Sequence, residues 1–395
     1  MKPVSVLHII TKLELGGAQK VCLTILEGLH RSGNTPLLLS GTSGTLAQQV
    51  KDSQQLPYTT LLVDTFTREV SLTGLWRELV NFWCLINTIR TLRKQHPDLI
   101  VHTHSTKAGL VGRWAAFFAG IKTRVHTVHG FGFHPYQNPL GWWINYLLEL
   151  CTSLITTRYI CVSSADIRTG IALLPAFARK QRLIRAAVDT TPFIAAKKNF
   201  SRAECPVATF TFGTIACFKR QKNLMDLLRA FADVHAKAPH ARLEIIGDGE
   251  QRSIIEAFIN NNNLRQAVVL HGWQHNVAPL MLNWNAFVLS SLWEGLPCAV
   301  VEARLLQLPV IAYNTGGISD VIQHKINGLL IRPGDRQEFA RALYTVLSDA
   351  SFRDRLRAHA DNLHDFHAER MVQEHIALYQ ELKGASHASD CHRHQ

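Results

Sequence analysis

The sequence predicts an α/β protein of two doubly wound parallel-sheet domains in tandem, and three observations carry that expectation. Apolar runs of strand length alternate with helical periods along the chain, as crossover helices between parallel strands require. The alternation restarts in mid-chain after a segment of loop formers. At 395 residues the chain also exceeds the size at which one core stops growing, so two domains of roughly 180 residues each are expected.

In order, VSVLHII predicts a buried first strand, followed by a helix over Ala18 to Ser32 and a strand at PLLLS. DLIVHTH gives a strand, Ala108 to Ala119 a helix, and RVHTVHG another strand. The second half restarts at ATFTFGTIA and runs through a helix from Leu224 to Ala236, then RLEIIGDGE, VVLHGW and AFVLSS. A helix from Ala299 to Leu306 and a strand at PVIAY complete it. The boundaries expected are a first domain at 1–187, a linker at 188–206 without sustained apolar period, and a second domain at 207–365. A terminal helix at 366–383 and a disordered tail at 384–395 follow. The periodic stretch Glu369 to Leu382 could dock on either half. No internal repeat of 20 to 50 residues is found.

Lysine and arginine total 42 against 30 acidic residues, a net charge of +12 that attracts phosphates, anionic lipid or nucleic acid. No helix-turn-helix, zinc-finger or aromatic-basic sheet pattern accompanies the charge, so nucleic acid is not an expected partner. Eight cysteines stand singly with no C-x-x-C pair and read as reduced, mostly buried thiols. Lys2 to Ile10 runs straight into a strand pattern without a leader, which predicts a cytoplasmic protein. No apolar stretch reaches spanning length; the longest, Trp142 to Thr157, is interrupted by Glu149. Two aromatic helical stretches, SLTGLWRELVNFWCLINTIRTLRK and PLGWWINYLLELCTSLI, read as core more readily than as membrane contact. Their Arg90, Arg93, Lys94, Trp142, Trp143 and Tyr146 nevertheless suit the inner face of an anionic membrane.

The most informative string is SLWEGLPCAVVEARLLQLPVIAYNTGG, Ser291 to Gly317. Glu294 follows a strand in a Gly-Pro loop and Glu302 falls early in the next helix, a carboxyl-end location where parallel sheets bind ligands. Alone, each would pass for a solvated or ordinary helix glutamate. Together, two carboxylates suit the hydroxyls of a sugar and a ribose, and the amides near Gly295 and Leu296 suit anionic oxygens at a helix N-terminus. Lys222 precedes the helix starting at Leu224, where its ammonium can meet a diphosphate, while Lys219 and Arg220 read equally well as a solvated basic loop. Gly16 and Gly17 follow the first strand, where either unusual backbone angles or the close approach of a ligand calls for glycine. Gly247, Gly249 and Trp273 lie at carboxyl ends of strands, where a nucleotide edge could rest. His102 and His104 share a strand face, with His126, His129 and His134 nearby in sequence. Without an acidic or thiolate complement, and with no D-x-D pair, metal binding is not expected.

The string E-G-L-P…E-A…G-x-P-V-I-A…G-G resembles the family-4 retaining glycosyltransferases. The resemblance extends over nearly the whole chain through ELGGAQK, HTVHGFGFH, VDTTPF, the Lys222 loop, LEIIGDGE and NGLLIRPGD. It implies a GT-B fold, two Rossmann-like domains facing a central cleft, and metal-independent transfer from a nucleotide-sugar donor with no cofactor. It further implies that Glu294 holds sugar hydroxyls, Glu302 the ribose and Lys222 the diphosphate. The glycine pair then faces the donor phosphate and the acceptor, the HGW loop meets the base, and His129 faces the transferring sugar. Two departures stand out: Gln19 and Lys20 replace the usual Glu-Arg pair, and Cys217 stands where the family places an arginine. A thiol cannot offer the bidentate fork of a guanidinium, so Lys219 and Arg220 become the substitute phosphate ligands.

The reading is therefore a hexosyl- or N-acetylhexosaminyl-transferase, with a UDP-sugar donor and a saccharide or lipid-linked acceptor in surface polysaccharide synthesis. Competing readings are a sugar-nucleotide 2-epimerase, which needs no acceptor, and a non-catalytic nucleotide-sugar-binding scaffold, motivated by Cys217.

Overall fold

A computed structural model of the chain describes residues 3–14, 16–42, 58–63, 75–199 and 209–391. They form two compact units: the first takes Met1–Ala187 with Ala368–Gln395, the second Val188–His367.

In the first unit, seven strands form a parallel sheet: β1 (Ser5–Ile10), β2 (Thr35–Gly41), β3 (Thr59–Val63), β4 (Ile100–His104), β5 (Arg124–Val128), β6 (Arg158–Cys161) and β7 (Gln181–Leu183). Their spatial order is β3-β2-β1-β4-β5-β6-β7. The connecting helices are α1 (Gly17–Arg31), α2 (Leu75–Gln95), α3 (Thr106–Phe118), α4 (Pro139–Ile155), α5 (Ser164–Leu173) and α6 (Phe177–Lys180). β1 is buried along nearly its whole length, as a central strand covered on both faces must be. Leu7, Ile9, Leu37, Val101 and Ala115 belong to one core cluster beneath α2 and α3.

The second unit carries α7 (Thr191–Asn199), β8 (Phe210–Ile215), α8 (Leu224–Lys237), β9 (Ala241–Ile246), α9 (Arg252–Asn261), β10 (Val268–Gly272) and α10 (Ala278–Met281). β11 (Ala286–Leu289), α11 (Cys298–Leu305), β12 (Val310–Tyr313), β13 (Gly328–Ile331), α12 (Arg336–Ser348) and α13 (Ala350–Ala358) complete it. The six strands are parallel in the order β10-β9-β8-β11-β12-β13. Its core gathers Phe212, Phe231, Val288, Ile311, Phe339 and Leu343.

Several expectations are corrected here. The supposed linker contains α7 from Thr191 to Asn199, and its remainder to residue 206 lies outside the described residues. The last helix, α14 (Ala368–Cys391), continues through Gly384 and beyond, where a disordered tail was expected; residues 392–395 lie outside the described residues. Although it follows the second unit in sequence, α14 packs in the first: Gly28 on α1 leaves room for Val372, whose methyl carbons would stand 2.5 Å from a Cβ there. Lys383 ties it further, donating to the Pro3 carbonyl at 3.0 Å and pairing with Asp98 at 3.3 Å. The chain leaves and re-enters the first unit at neighbouring points, since the Val188 amide donates to the Phe366 carbonyl at 3.0 Å.

Among the described residues the cysteines are not mostly buried either. Cys22 and Cys161 are buried, but Cys84 and Cys151 are exposed and Cys217 and Cys298 intermediate. The aromatic helices also depart from a core role. Trp76 and Leu154 are 77% exposed, and Trp83, Phe118, Leu140 and Trp143 are exposed as well. Glu149, which breaks the longest apolar stretch, forms a buried bidentate pair with Arg113, both nitrogens at 2.8 Å, and joins α4 to α3. No helix among the described residues is long and apolar enough to cross a membrane.

Candidate active site

A doubly wound sheet opens a crevice where connections leave neighbouring strands in opposite directions. In the second unit that point falls between β8 and β11, because β8 leads outward to β9 and β11 leads the other way to β12. The loops after these two strands carry Lys222 and Glu294. The Lys222 ammonium donates to Glu294 Oε1, both side chains being largely withdrawn from solvent at 17% and 7% exposure. Burial opposes the lysine's charge, but the Glu294 carboxylate outweighs it and holds the ammonium above its ordinary pKa. The sequence placed these residues on separate groups of a ligand; the structure makes them partners across a span of 72 residues.

Around this pair the backbone is sewn together. Gln221 Nε2 donates to the Trp293 carbonyl at 2.7 Å, and Ser290 Oγ donates to the Lys222 carbonyl at 2.9 Å. Gly316, at φ +54°, lies so close to the Glu294 carbonyl that a Cβ would meet its oxygen at 2.1 Å, and the Gly317 amide donates to the Gly295 carbonyl at 2.6 Å. The GG that ends the diagnostic string is thus needed to set the Glu294 loop in place. Gly295 and Leu296 are buried on that loop, and Glu302 is half-buried in the second turn of α11.

Gly247, at φ +133°, has a structural reason of its own, since a Cβ there would stand 2.0 Å from the Ala216 carbonyl oxygen. Gly249 packs likewise on the Phe218 backbone. Trp273 is 41% exposed beyond β10. Arg220 is exposed and Lys219 half-buried, whereas Cys217 and Cys298 lie near enough to Lys222 to favour its charged form.

In the first unit the same topological point lies between β1 and β4. Gly16 and Gly17 follow β1, and Gly16 has φ −123° and ψ 161°, angles open to any residue. Unusual backbone geometry therefore does not explain the first glycine. Across from it Ser105, which the sequence reading missed, adopts φ +65° at the end of β4, and its hydroxyl meets that of Thr11 at 2.9 Å. Strained serines of this kind cluster at ligand sites. Nothing local in the sequence marks it.

The histidines divide by strand face. His126 faces α3, where its Nδ1 lies 2.9 Å from Thr103 Oγ1 and Gly109 leaves room for its ring. His102 and His104 face the other way with ring centroids 4.2 Å apart, and β1 adds His8, paired in register with His102. His375 and Tyr379 of α14 complete the cluster, with Tyr379 Oη 2.6 Å from His102 Nδ1 and Thr127 Oγ1 2.7 Å from its Nε2. His129, just past β5, reaches it through His104, Nε2 to Nδ1 at 3.3 Å. Burial pushes His8 down to about 3 and His129 and His375 to about 4, and holds His102, His104 and His126 well below the usual range. One nitrogen from each of His8, His102 and His104 falls within 4.8 Å of the others, close enough to be drawn onto one ion. Both nitrogens of His102 and of His104, however, are already in hydrogen bonds.

Residues 15–191 match the family described as Glycosyltransferase Family 4, and residues 197–363 match Glycosyl transferases group 1. A UDP-Gal:alpha-D-GlcNAc-diphosphoundecaprenol alpha-1,3-galactosyltransferase of Escherichia coli is 30% identical over 353 residues, 88% of each chain. The chain belongs to the group 1 and family 4 glycosyltransferases. A capsular polysaccharide biosynthesis glycosyltransferase, CapM of Staphylococcus aureus, is 24% identical over 68% of the enzyme and 72% of that protein. The fold is that of Anabaena Alr3699/HepE, crystallised with UDP and glucose: the TM-score is 0.77 at 18% identity, over 96% of the enzyme and all of that chain. Two Rossmann-like parallel-sheet units of the GT-B kind are thereby established for this glycosyltransferase.

Proposed function

We propose that this glycosyltransferase moves a hexosyl or N-acetylhexosaminyl group from a UDP-sugar to a lipid-linked saccharide in surface polysaccharide synthesis, with retention at the anomeric carbon and without a metal. The observation that carries the proposal is the Lys222–Glu294 pair at the β8/β11 switch point, with Glu294 inside the string Ser291 to Gly317. Lys222 supplies a fixed cation to the leaving diphosphate, and fixed charge in a dry crevice stabilises a leaving anion better than water does. Glu294 accepts from sugar hydroxyls, Glu302 from the ribose, and the amides near Gly295 and Leu296 meet donor oxygens. Lys219 and Arg220 stand in for the arginine that Cys217 replaces, and Gly247, Gly249 and Trp273 border the base.

Gly16 and Gly17 give clearance to the donor phosphate and the acceptor, which agrees with the ordinary backbone angles at Gly16. His129 contacts the transferring sugar. The relatives' names support the donor and acceptor classes: the Escherichia coli enzyme is named for UDP-Gal and a diphosphoundecaprenol acceptor.

The exposed aromatic residues of α2, α3 and α4 rest on the anionic inner face of the plasma membrane, where a lipid-linked acceptor is presented. Arg90 and Arg93, both exposed, donate to the Phe118 and Ala119 carbonyls at the end of α3 at 3.1 Å.

Calorimetry with UDP, GDP and ADP without added metal tests the donor site, on wild type and on Glu302→Ala, Glu294→Ala and Lys222→Ala. UDP binding that weakens in Glu302→Ala and Lys222→Ala is the expected result. Tight UDP binding without UDP release from any UDP-sugar and undecaprenyl-linked saccharide would favour a scaffold, and interconversion of UDP-sugars without acceptor would favour an epimerase.

A further inference from the structure

Three imidazoles, those of His8 and His104 buried and that of His129 half-buried, stand in a row: His8 Nδ1 lies 3.0 Å from His104 Nε2, and His104 Nδ1 lies 3.3 Å from His129 Nε2. Burial keeps every ring neutral, so each has one N–H and one lone pair, and a single choice at one end fixes all three tautomers. The end in question is His8 Nε2, which is buried and has no hydrogen-bond partner among the described residues. If the row ran from His129 towards His8, that nitrogen would carry a buried orphan N–H. If it runs from His8 towards His129, the nitrogen is a bare lone pair, and orphan donors are the rarer defect in folded proteins. Neighbouring His375 has already settled the same way: its Nδ1 donates to the Met371 carbonyl at 2.8 Å, which leaves a bare Nε2 in the same pocket.

We infer that His104 is a positioning residue: its Nδ1–H donates to His129 Nε2 and so locks the His129 proton onto Nδ1, giving that histidine an N–H on its other edge. The half-buried His129 thereby offers a hydrogen-bond donor to an oxygen of its ligand, a role that rests on the proposed sugar contact. The geometry of the row does not depend on that role.

Two measurements separate these levels. Nitrogen-proton correlation spectra of the full chain with ¹⁵N-histidine, the His129 signal assigned by its loss in His129→Gln, should show the proton on Nδ1. His104→Leu, which removes the donor, should convert His129 to a mixture of tautomers. His104→Asn, whose side-chain amide places an N–H where Nδ1 stood, should restore the Nδ1–H form. A proton on Nε2 of His129 in the wild type, or a tautomer unmoved by His104→Leu, overturns the inference. In parallel, UDP release from UDP-glucose, UDP-galactose and UDP-N-acetylglucosamine should fall about tenfold in kcat for His104→Leu, the scale of one hydrogen bond, with KM little changed and His104→Asn recovering most of the loss. If the wild type released no UDP from any donor, the transfer reading would fail while the tautomer measurement still decided the role of His104.

Discussion

Acidification should unfold the first unit well before ordinary acid denaturation, because its interior holds neutral imidazoles that an unfolded chain would protonate. His8, His129 and His375 resist protonation down to about 3, 4 and 4 respectively, through burial first and, for His8 and His129, the neighbouring His375 second. Once unfolded, each would titrate near its ordinary value of about 6.5. Between those limits the unfolded chain binds more protons than the folded one, so stability is full above about pH 6.5 and is lost as the pH falls towards 4. From about pH 7 to about pH 5 each of these rings forfeits about 2 kcal/mol, and the three together about 6 kcal/mol, comparable with the whole stability of an ordinary domain. Near about pH 5.5 these three give a slope of about 4 kcal/mol per pH unit, the signature of about three protons, and His102, His104 and His126, also held well below the usual range, steepen it further. Urea unfolding, followed by hydrogen exchange of amides in β1 and β4 to isolate this unit, measures the slope directly. His375→Leu should remove about one proton from it. A wild-type slope of less than about one proton would show that the rings are already charged or solvated, and the buried-cluster argument would fail.

The Lys222–Glu294 pair should show coupling in a double-mutant cycle. Lys222→Met and Glu294→Gln should each cost about 2 to 4 kcal/mol in urea unfolding, and the double variant less than their sum by about 1 to 3 kcal/mol. Additive losses would deny the contact. Gly316→Ala should destabilise the second unit by about 1 to 3 kcal/mol and weaken UDP binding, since its Cβ would displace the Glu294 carbonyl; an unchanged protein would refute the packing argument. Replacing Trp76 and Trp83 together by serine should lower binding to phosphatidylglycerol vesicles by about tenfold or more, measured by flotation, while leaving UDP affinity intact. Equal flotation of the variant would remove that face from any membrane role.

By itself the sequence determined the local elements and the alternation that makes both halves parallel and doubly wound, because strand-length apolar runs and helical periods are properties of contiguous residues. The string from Ser291 to Gly317 was equally legible, its Glu294 loop and its GG being fixed by spacing along one strand, loop and helix. What only the tertiary structure decided are the meetings of distant residues. α14 had an apolar stripe that would suit either half; it is the space left by Gly28 for Val372 that seats it in the first unit and brings Tyr379 to His102. The histidine row draws on residues 8, 104 and 129, so it required the strand order β1-β4-β5, which periodicity cannot supply because every buried parallel strand looks alike from within. The outward aromatic faces of α2 and α4 were read as core for the same reason: an apolar stripe states that a helix face avoids water, and only the packed structure shows which apolar side chains stay exposed.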